Sequence, residues 1–355
     1  MTARFSRLVH LGNVVVDVVL DVPALPQRGG DVLASAAQLA PGGGFNVMAA
    51  AARQGLPTRY AGAIGTGPFA DLASAALAAE GIEALQPPKT GMDTGFVVTM
   101  VDDDGERTFV TSRGAEATLT PEDLAGITAG PGDAVYLSGY GLVHPDNRAS
   151  LLGWLDRLDR LDWPDHLGRA GRGGALGTPG APGGTGAQGG TGALGVTGAR
   201  HVVFFDPGPL VRDVPAKVLA SVLRRADWLT CNAAEATLLT GALSPGAAWR
   251  TLTAGRPGGG VVLRMGPDGC LVSRVTEPGA GATGPVHVAG FQVPVVDTNG
   301  AGDTHAGTFI AALAGGADPV TAARTANAAA AVSVTRHGPA TAPSAGELAE
   351  FLATR

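Results

Sequence analysis

Two aspartates, Asp297 and Asp303, bracket the short run Thr298-Asn299-Gly300-Ala301-Gly302. An apolar spacing begins at once: Ala306, Phe309, Ile310 and Leu313 recur at i, i+3, i+4 and i+7, one face of an amphipathic helix. Gly315-Gly316 supplies a stop, and residues 291–296 upstream read as extended chain. The run is therefore a small-residue turn at a helix N-terminus, where free N–H groups and the positive end of the helix dipole attract an anion. An acid at that mouth repels an anion, but it can take a proton from a hydroxyl that attacks one. Asp303 in that position suggests phosphoryl transfer; the bland alternative is an ordinary capping acid.

A second small-residue loop, Pro41-Gly42-Gly43-Gly44-Phe45-Asn46, opens an Ala-rich helix over 47–54 with Gly55 as its stop. Alone it is weak, since a glycine run also makes a tight turn and Asn46 serves equally as an N-cap. Asp17 stands inside the apolar run 8–20, read as one buried strand with Gly12 set into it. It is either a strand-end acid facing water or an acceptor of ligand hydroxyls at the C-terminal edge of the first strand, where open α/β sheets bind ligands. Asn232 and Glu235 lie one helical turn apart, so both can face one site; they read equally as an N-cap and an exposed helix acid.

The elements that must hold these residues alternate. Strand patterns at 60–64, 134–138, 201–205, 227–230 and 260–264 are interleaved with helix patterns at 69–80, 147–161, 215–225 and 233–240. A strand at 271–275 and a long helix at 319–334 follow. Strand and helix in turn imply parallel strands joined by right-handed crossovers, with helices on both faces. Two β-rich segments, 95–101 and 107–112, break the rhythm; Asp102-Asp103-Asp104-Gly105-Glu106 between them is a hairpin signal. Its acidic tip reads as a solvated turn rather than a metal site, and the hairpin as an inserted β lobe over a site.

From Gly168 to Gly198 glycine stands at every third position, a collagen-like period. Proline appears there only at Pro179 and Pro182, too sparse for a triple helix. The stretch reads as a flexible surface insertion outside the chemistry.

The 355 residues can bury a large core, and a net charge of -6 argues against nucleic-acid binding by bulk electrostatics. No apolar run approaches the ~20 residues of a membrane helix, and residues 1–10 lack a signal-peptide core. A cytoplasmic enzyme with no nucleic-acid or membrane partner is expected. Cys231 and Cys270 make neither a metal spacing nor a disulfide framework and read as buried thiols.

With both loops placed, the chain resembles the ribokinase-like (PfkB) family of carbohydrate and nucleoside kinases, in a poorly characterised sugar-kinase branch. The resemblance covers residues 8–355 apart from the Gly-X-Y insertion. It is carried by Gly42-Gly43-Gly44-Phe45-Asn46 with Gly55 and Gly65, by Asn232-Ala233-Ala234-Glu235, by 297–303, and by Asn327-Ala328-Ala329-Ala330-Ala331. Met48, His305, Thr308 and Arg264 before Met265-Gly266 depart from the family's usual residues.

The resemblance implies a single kinase domain over 1–355: a three-layer α/β/α sandwich with a mostly parallel central sheet and a small β-sheet lid. The lid strands fall within 13–40 and 94–113, and a homodimer through them is implied. The activity implied is ATP-dependent phosphorylation of a sugar hydroxyl. Asp303 is then the general base, weak at an ordinary pKa of ~3.9 but sufficient where positioning carries the rate. Backbone N–H groups of 299–303, through Gly300, Ala301 and Gly302, form the anion hole. On the ATP side, Asn232 orients phosphates and Glu235 holds Mg²⁺ through water. Arg264 touches the triphosphate or is a surface arginine. Gly266 and Gly269 allow close approach to the nucleotide, and Asn327 is an adenine-side contact. Asp17, Gly42, Gly43 and Asn46 surround the sugar hydroxyls, with Arg113 at the substrate mouth. Asp297 and the loop 334–344 resemble a monovalent-cation site, implying K⁺.

A nucleoside kinase wants an aromatic platform, for which only Phe45 and Phe96 can be nominated. A phosphosugar kinase wants more acceptor-side cations than Arg28, Arg107 and Arg113. A Rossmann dehydrogenase is disfavoured because the first strand-to-helix region lacks G-x-G-x-x-G, and a non-catalytic sugar or nucleotide sensor by the intact Asp303 and Glu235.

Overall fold

The computed structural model describes residues 5–130, 132–161, 201–254, 259–273 and 284–355. The Gly-X-Y stretch lies outside the described residues. In chain order the elements are β1 (Arg7–His10), β2 (Val14–Asp21), β3 (Ala36–Gly43), α1 (Gly44–Arg53), β4 (Thr58–Tyr60), α2 (Pro68–Ala79), β5 (Glu83–Ala84), β6 (Phe96–Val101), β7 (Arg107–Ser112) and β8 (Asp133–Ser138). There follow α3 (Gly139–Val143), α4 (Pro145–Leu161), β9 (Val202–Asp206), α5 (Ala216–Arg225), β10 (Trp228–Asn232), α6 (Ala233–Thr240), α7 (Pro245–Ala254) and β11 (Gly260–Arg264). The chain ends with β12 (Cys270–Val272), β13 (Val286–Val288), α8 (Ala301–Ala314), α9 (Pro319–Ser333) and α10 (Ala345–Ala353).

Nine of the described strands form one sheet, ordered β13-β12-β11-β10-β9-β8-β1-β4-β5. All neighbours from β11 to β5 are parallel; β12 and β13 turn back antiparallel at one edge. Successive side chains of a strand point to opposite faces. Val9, Val135, Leu137, Val203, Phe205 and Leu263 pack on one face with Trp154, Val222 and Trp249 of α4, α5 and α7. Leu8, Ala134, Phe204, Trp228 and Val262 pack on the other with Val47, Ile310 and Ala326 of α1, α8 and α9. Burial on both faces is why these strands read as continuous apolar runs, and it produces the expected three layers.

α1 and α8 meet at backbone level. A Cβ added at Gly307 would stand 2.2 Å from the Val47 carbonyl oxygen, so only glycine fits there. This contact fixes the helix that carries Asn46 against the helix that carries Asp303.

A separate four-stranded sheet runs β3-β2-β6-β7. β2 pairs antiparallel with β3 and parallel with β6, and β6–β7 is the expected hairpin. Its turn uses Gly105 at φ 78, and Asp102 Oδ1 accepts the Asp104 and Glu106 amides. The acidic tip serves its own turn, and among the described residues no group of three or more His, Cys, Asp or Glu side chains is arranged for a metal.

Two expectations are corrected. Residues 8–20 are not one strand: β1 stays in the large sheet and β2 enters the small one, so Asp17 lies opposite Ala40 and Val97. The break falls at Gly12, whose missing side chain makes room for the His10 ring, 2.4 Å from where a Cβ would be. The glycine loop is also shorter than read. Gly42 and Gly43 continue β3 opposite Val15 and Val14, and α1 begins at Gly44. Cys231 and Cys270 are both buried. No described helix is long and apolar enough to cross a membrane.

Candidate active site

Gly300 caps α8 at φ 71, a left-handed conformation that favours glycine. Asp297 shapes the approach by accepting the Asn299 N–H at 2.7 Å. The first N–H groups of α8 have no intrahelical acceptor, and Asp303 stands in that first turn. Asn46, in the first turn of α1, donates Nδ2–H to Asp303 Oδ2 at 3.1 Å. Asn46 is buried, and its Oδ1 has no partner among the described residues. A buried acceptor left open suits a ligand hydroxyl.

Asp17 reaches the same place from β2. A Cβ added at Gly42 would stand 2.3 Å from Asp17 Oδ2, so glycine is what lets the carboxylate lie on β3. Burial pushes the Asp17 carboxyl up to about 7, and the charge of Asp303 adds to the shift. Asp303 does not keep an ordinary carboxylate pKa. Burial raises it to about 6 and Asp206 adds to this, while the Asn46 bond and the charge of Arg264 pull it down.

The C-terminal ends of β9, β10 and β11 supply the other half. Arg264 is largely shielded rather than at the surface, with 12% of its side chain exposed. It donates to Asp206 Oδ2 at 3.1 Å and to Thr230 Oγ1, and lies 3.7 Å from Glu235 Oε2. Its guanidinium backs the anion turn, 3.6 Å from where a Gly302 Cβ would be. Asn232 and Glu235 form a reciprocal capping box, each accepting the other's N–H at 2.8 Å. Capping therefore also presents Glu235 to the site. Burial and Asp206 push the Glu235 carboxyl up, and Arg264 opposes them.

Asp206 and Tyr140 were missed in the sequence. Asp206 ends β9 directly before Pro207-Gly208, and an acid at a strand's C-terminal end was the available signal. Tyr140, on α3, packs over Gly208. Its phenol is pushed up to about 12 by burial and by Asp303, Glu235, Asp206 and Asp17. It is thus a neutral hydroxyl amid both groups of acids.

Other nominated residues lie elsewhere. Arg113 lines a cavity of about 510 Å³ with Phe69, Asp93, Phe96 and Asp146, apart from Asp17, Asn46 and Asp303. Phe96 pairs in register with Val16, so it faces away from Asp17, and it packs on Phe69 at 5.0 Å. Phe45 is in the core with Met48 and Tyr60. Asn327 is buried: Nδ2 donates to the Val288 and Ala289 carbonyls and Oδ1 meets His305 Nε2, tying α9 to β13. Gly269 admits the Val288 carbonyl, 2.1 Å from where a Cβ would be, so its close contact is with the chain itself. Gly266, at φ 63, has open space on its Cβ side.

The loop 334–344 does reach Asp297, through the Gly338 N–H at 3.0 Å from Oδ2. The positive charge beside Asp297, however, is the guanidinium of Arg107, bonded to Oδ1. With both oxygens engaged, the residues in this arrangement do not fit a monovalent cation. The half at Asp206 and Glu235 does fit a Mg²⁺-bound polyphosphate. The α8 amides suit phosphate, and Asp206 and Glu235 are hard oxygen donors of the kind Mg²⁺ prefers.

A helix start with open amides, a shielded aspartate bonded to the Asn46 amide and a small sheet beside them stand on an α/β sandwich. The family pattern described as pfkB family carbohydrate kinase matches residues 6–158 and 199–345, with the Gly-X-Y repeat in its gap. The chain belongs to the pfkB family of carbohydrate kinases. It is 29% identical to the uncharacterized sugar kinase YegV of Escherichia coli strain K12, over 98% of this chain and 94% of that protein. It is 28% identical to an ATP-dependent ribose-1-phosphate kinase of Halopiger xanaduensis, over 98% and 99% of the two chains. The fold matches a candidate ribokinase II of E. coli solved with ATP and Mg²⁺, at TM-score 0.73 and 19% identity, over 99% and 100% of the two chains.

Proposed function

We propose that this kinase transfers the terminal phosphoryl group of ATP to a sugar hydroxyl, with Asp303 as general base. The observation that carries the reading is the Asn46–Asp303 bond of 3.1 Å, which joins the acceptor loop to the anion turn. A pKa near 6 suits Asp303 to accept a proton near neutral pH better than an ordinary aspartate would. Asn299 gives its N–H to Asp297 and Ala301 to the Thr298 carbonyl, so the amides of Gly300, Gly302 and Asp303 hold the charge that develops on the phosphoryl group. Asp17 and the open Oδ1 of Asn46 take bonds from adjacent hydroxyls and orient the one that attacks.

Arg264 bonds Asp206, lies beside Glu235 and backs the turn at Gly302. These two acids would hold Mg²⁺ through water, and the ion when bound neutralises phosphate charge. The small sheet excludes water, so hydrolysis does not compete with transfer. Its outer strands expose Leu39, Phe109 and Val110, which supports a homodimer through this sheet.

Neither aromatic nominated for a nucleoside platform lies beside Asp17, which favours a sugar. The ribose-1-phosphate kinase relative adds sugar phosphates to the acceptors to be tested. An ADP-release screen across pentoses, hexoses, their phosphates and nucleosides tests the reading. At least one acceptor is expected to give turnover that Asp303→Asn abolishes while ATP still binds. Silence across the panel from folded protein overturns it.

A further inference from the structure

The node at Asp297 joins three parts of the chain. Its own N–H and that of Val296 donate to the Val334 carbonyl, at 3.1 and 2.7 Å. Its Oδ1 accepts the Asn299 N–H of the anion turn, and its Oδ2 the Gly338 N–H. The third part is the small sheet. Arg107, the first residue of β7, bonds Asp297 through Nη2 and donates Nη1–H to Thr298 Oγ1 at 3.1 Å. A second strand of that sheet arrives beside it: a Cβ on Gly338 would lie 3.4 Å from Gln38 Nε2 of β3. The pair is shielded, with side-chain exposures of 23% for Arg107 and 16% for Asp297. A shielded, two-pronged guanidinium contact holds geometry in a way an exposed ion pair does not.

We infer that Arg107 is a latch. It fastens the small sheet onto the anion turn, and its guanidinium supplies the positive charge that Asp297 would otherwise take from a monovalent cation. Arg107 is a positioning residue: it acts through Asp297, whose carboxylate sets the Asn299 amide. Two consequences follow. The kinase is indifferent to K⁺, because the chain carries its own cation. Closure of the sheet and assembly of the anion turn are one event, because one side chain makes both contacts. The effect on turnover rests on the kinase reading; the latch itself does not.

Hydrogen exchange separates the two. Wild type and Arg107→Ala are compared without substrate, in potassium chloride and in tetramethylammonium chloride. Wild type is expected to exchange identically in both salts. In Arg107→Ala the amides of Asn299 and Gly338 are expected to exchange about tenfold faster in the organic salt, with α5 unchanged, and K⁺ is expected to restore part of the protection. Equal protection in Arg107→Ala and wild type, or wild-type protection that rises with K⁺, overturns the latch. If Arg107→Ala does not fold, Arg107→Lys and Thr298→Val carry the same comparison. With an accepted sugar, kcat of the variant should fall while the Kd for ATP holds. Absence of turnover in wild type would count against the kinase reading and leave the exchange result standing.

Discussion

Asn46 Nδ2 donates to Asp303 Oδ2 at 3.1 Å, across 257 positions of chain. The bond stabilises the ionised carboxylate and so works against burial, which raises its pKa. Asn46→Ala removes that donor. The acid limb of kcat/KM, expected near pH 6 in wild type from the pKa of Asp303, should move to higher pH. At neutral pH kcat/KM should fall by roughly ten- to a hundredfold. A pH–rate profile measures both, and a limb that stays in place would show that Asn46 does not tune the base.

Asp303→Asn should cost on the order of a thousandfold or more in turnover, with ATP binding retained. It should also stabilise the fold in a pH-dependent way. The folded carboxyl is pushed up to about 6 from its ordinary value of 3.8. A raised carboxylate destabilises the fold once ionised, so the cost is absent below the lower value and complete above the higher. About two pKa units correspond to roughly 3 kcal/mol. Thermal melts should therefore match near pH 4 and favour the variant at pH 8. A variant that melts lower at pH 8 would contradict the assigned burial cost.

Gly42→Ala places a methyl where the Asp17 carboxylate lies, 2.3 Å from Oδ2. The side chain must swing away. KM for the sugar should rise about tenfold or more, while calorimetry should find ATP affinity unchanged. Loss of ATP affinity instead would mean that Asp17 and Gly42 do not belong to the acceptor side.

Arg264→Gln leaves Asp206 and Glu235 facing each other without their shared cation. Removing one partner from a buried ionic group typically costs about 3–5 kcal/mol, read as a lower denaturation midpoint at neutral pH. The deficit should shrink as pH falls and the raised Glu235 carboxyl takes up its proton. Arg264→Lys restores charge but not the fork that bonds Asp206 and Thr230, so it should recover only part. A fully stable Arg264→Gln protein would refute the pairing.

The sandwich was legible because strands buried on both faces leave unbroken apolar runs and helices leave a 3.6 period. α6 could be bounded to the residue, since Asn232 and Glu235 mark its start and Gly241, at φ 70, its end. Residues 8–20 could not be divided correctly: an apolar run does not record that the chain changes sheets, and only Gly12 marks the break. The motif residues of the two glycine turns converge as expected. Asp206 had only its place at a strand's C-terminal end to mark it, and its meaning comes from an arginine 58 positions away. Arg107 was hidden in the same way, its partner lying 190 positions downstream. Asn327 was read for its place in a motif, but its amide is consumed by the fold.

Gly307 has a consequence for mutational drift. Because α1 rests on α8 main chain to main chain at that point, the spacing of the helices that carry Asn46 and Asp303 is set by two backbones. No rotamer change can widen it or repair it. Residues of the small sheet can therefore vary with the acceptor, whereas at this one seam even a single methyl group would move the two halves of the site apart.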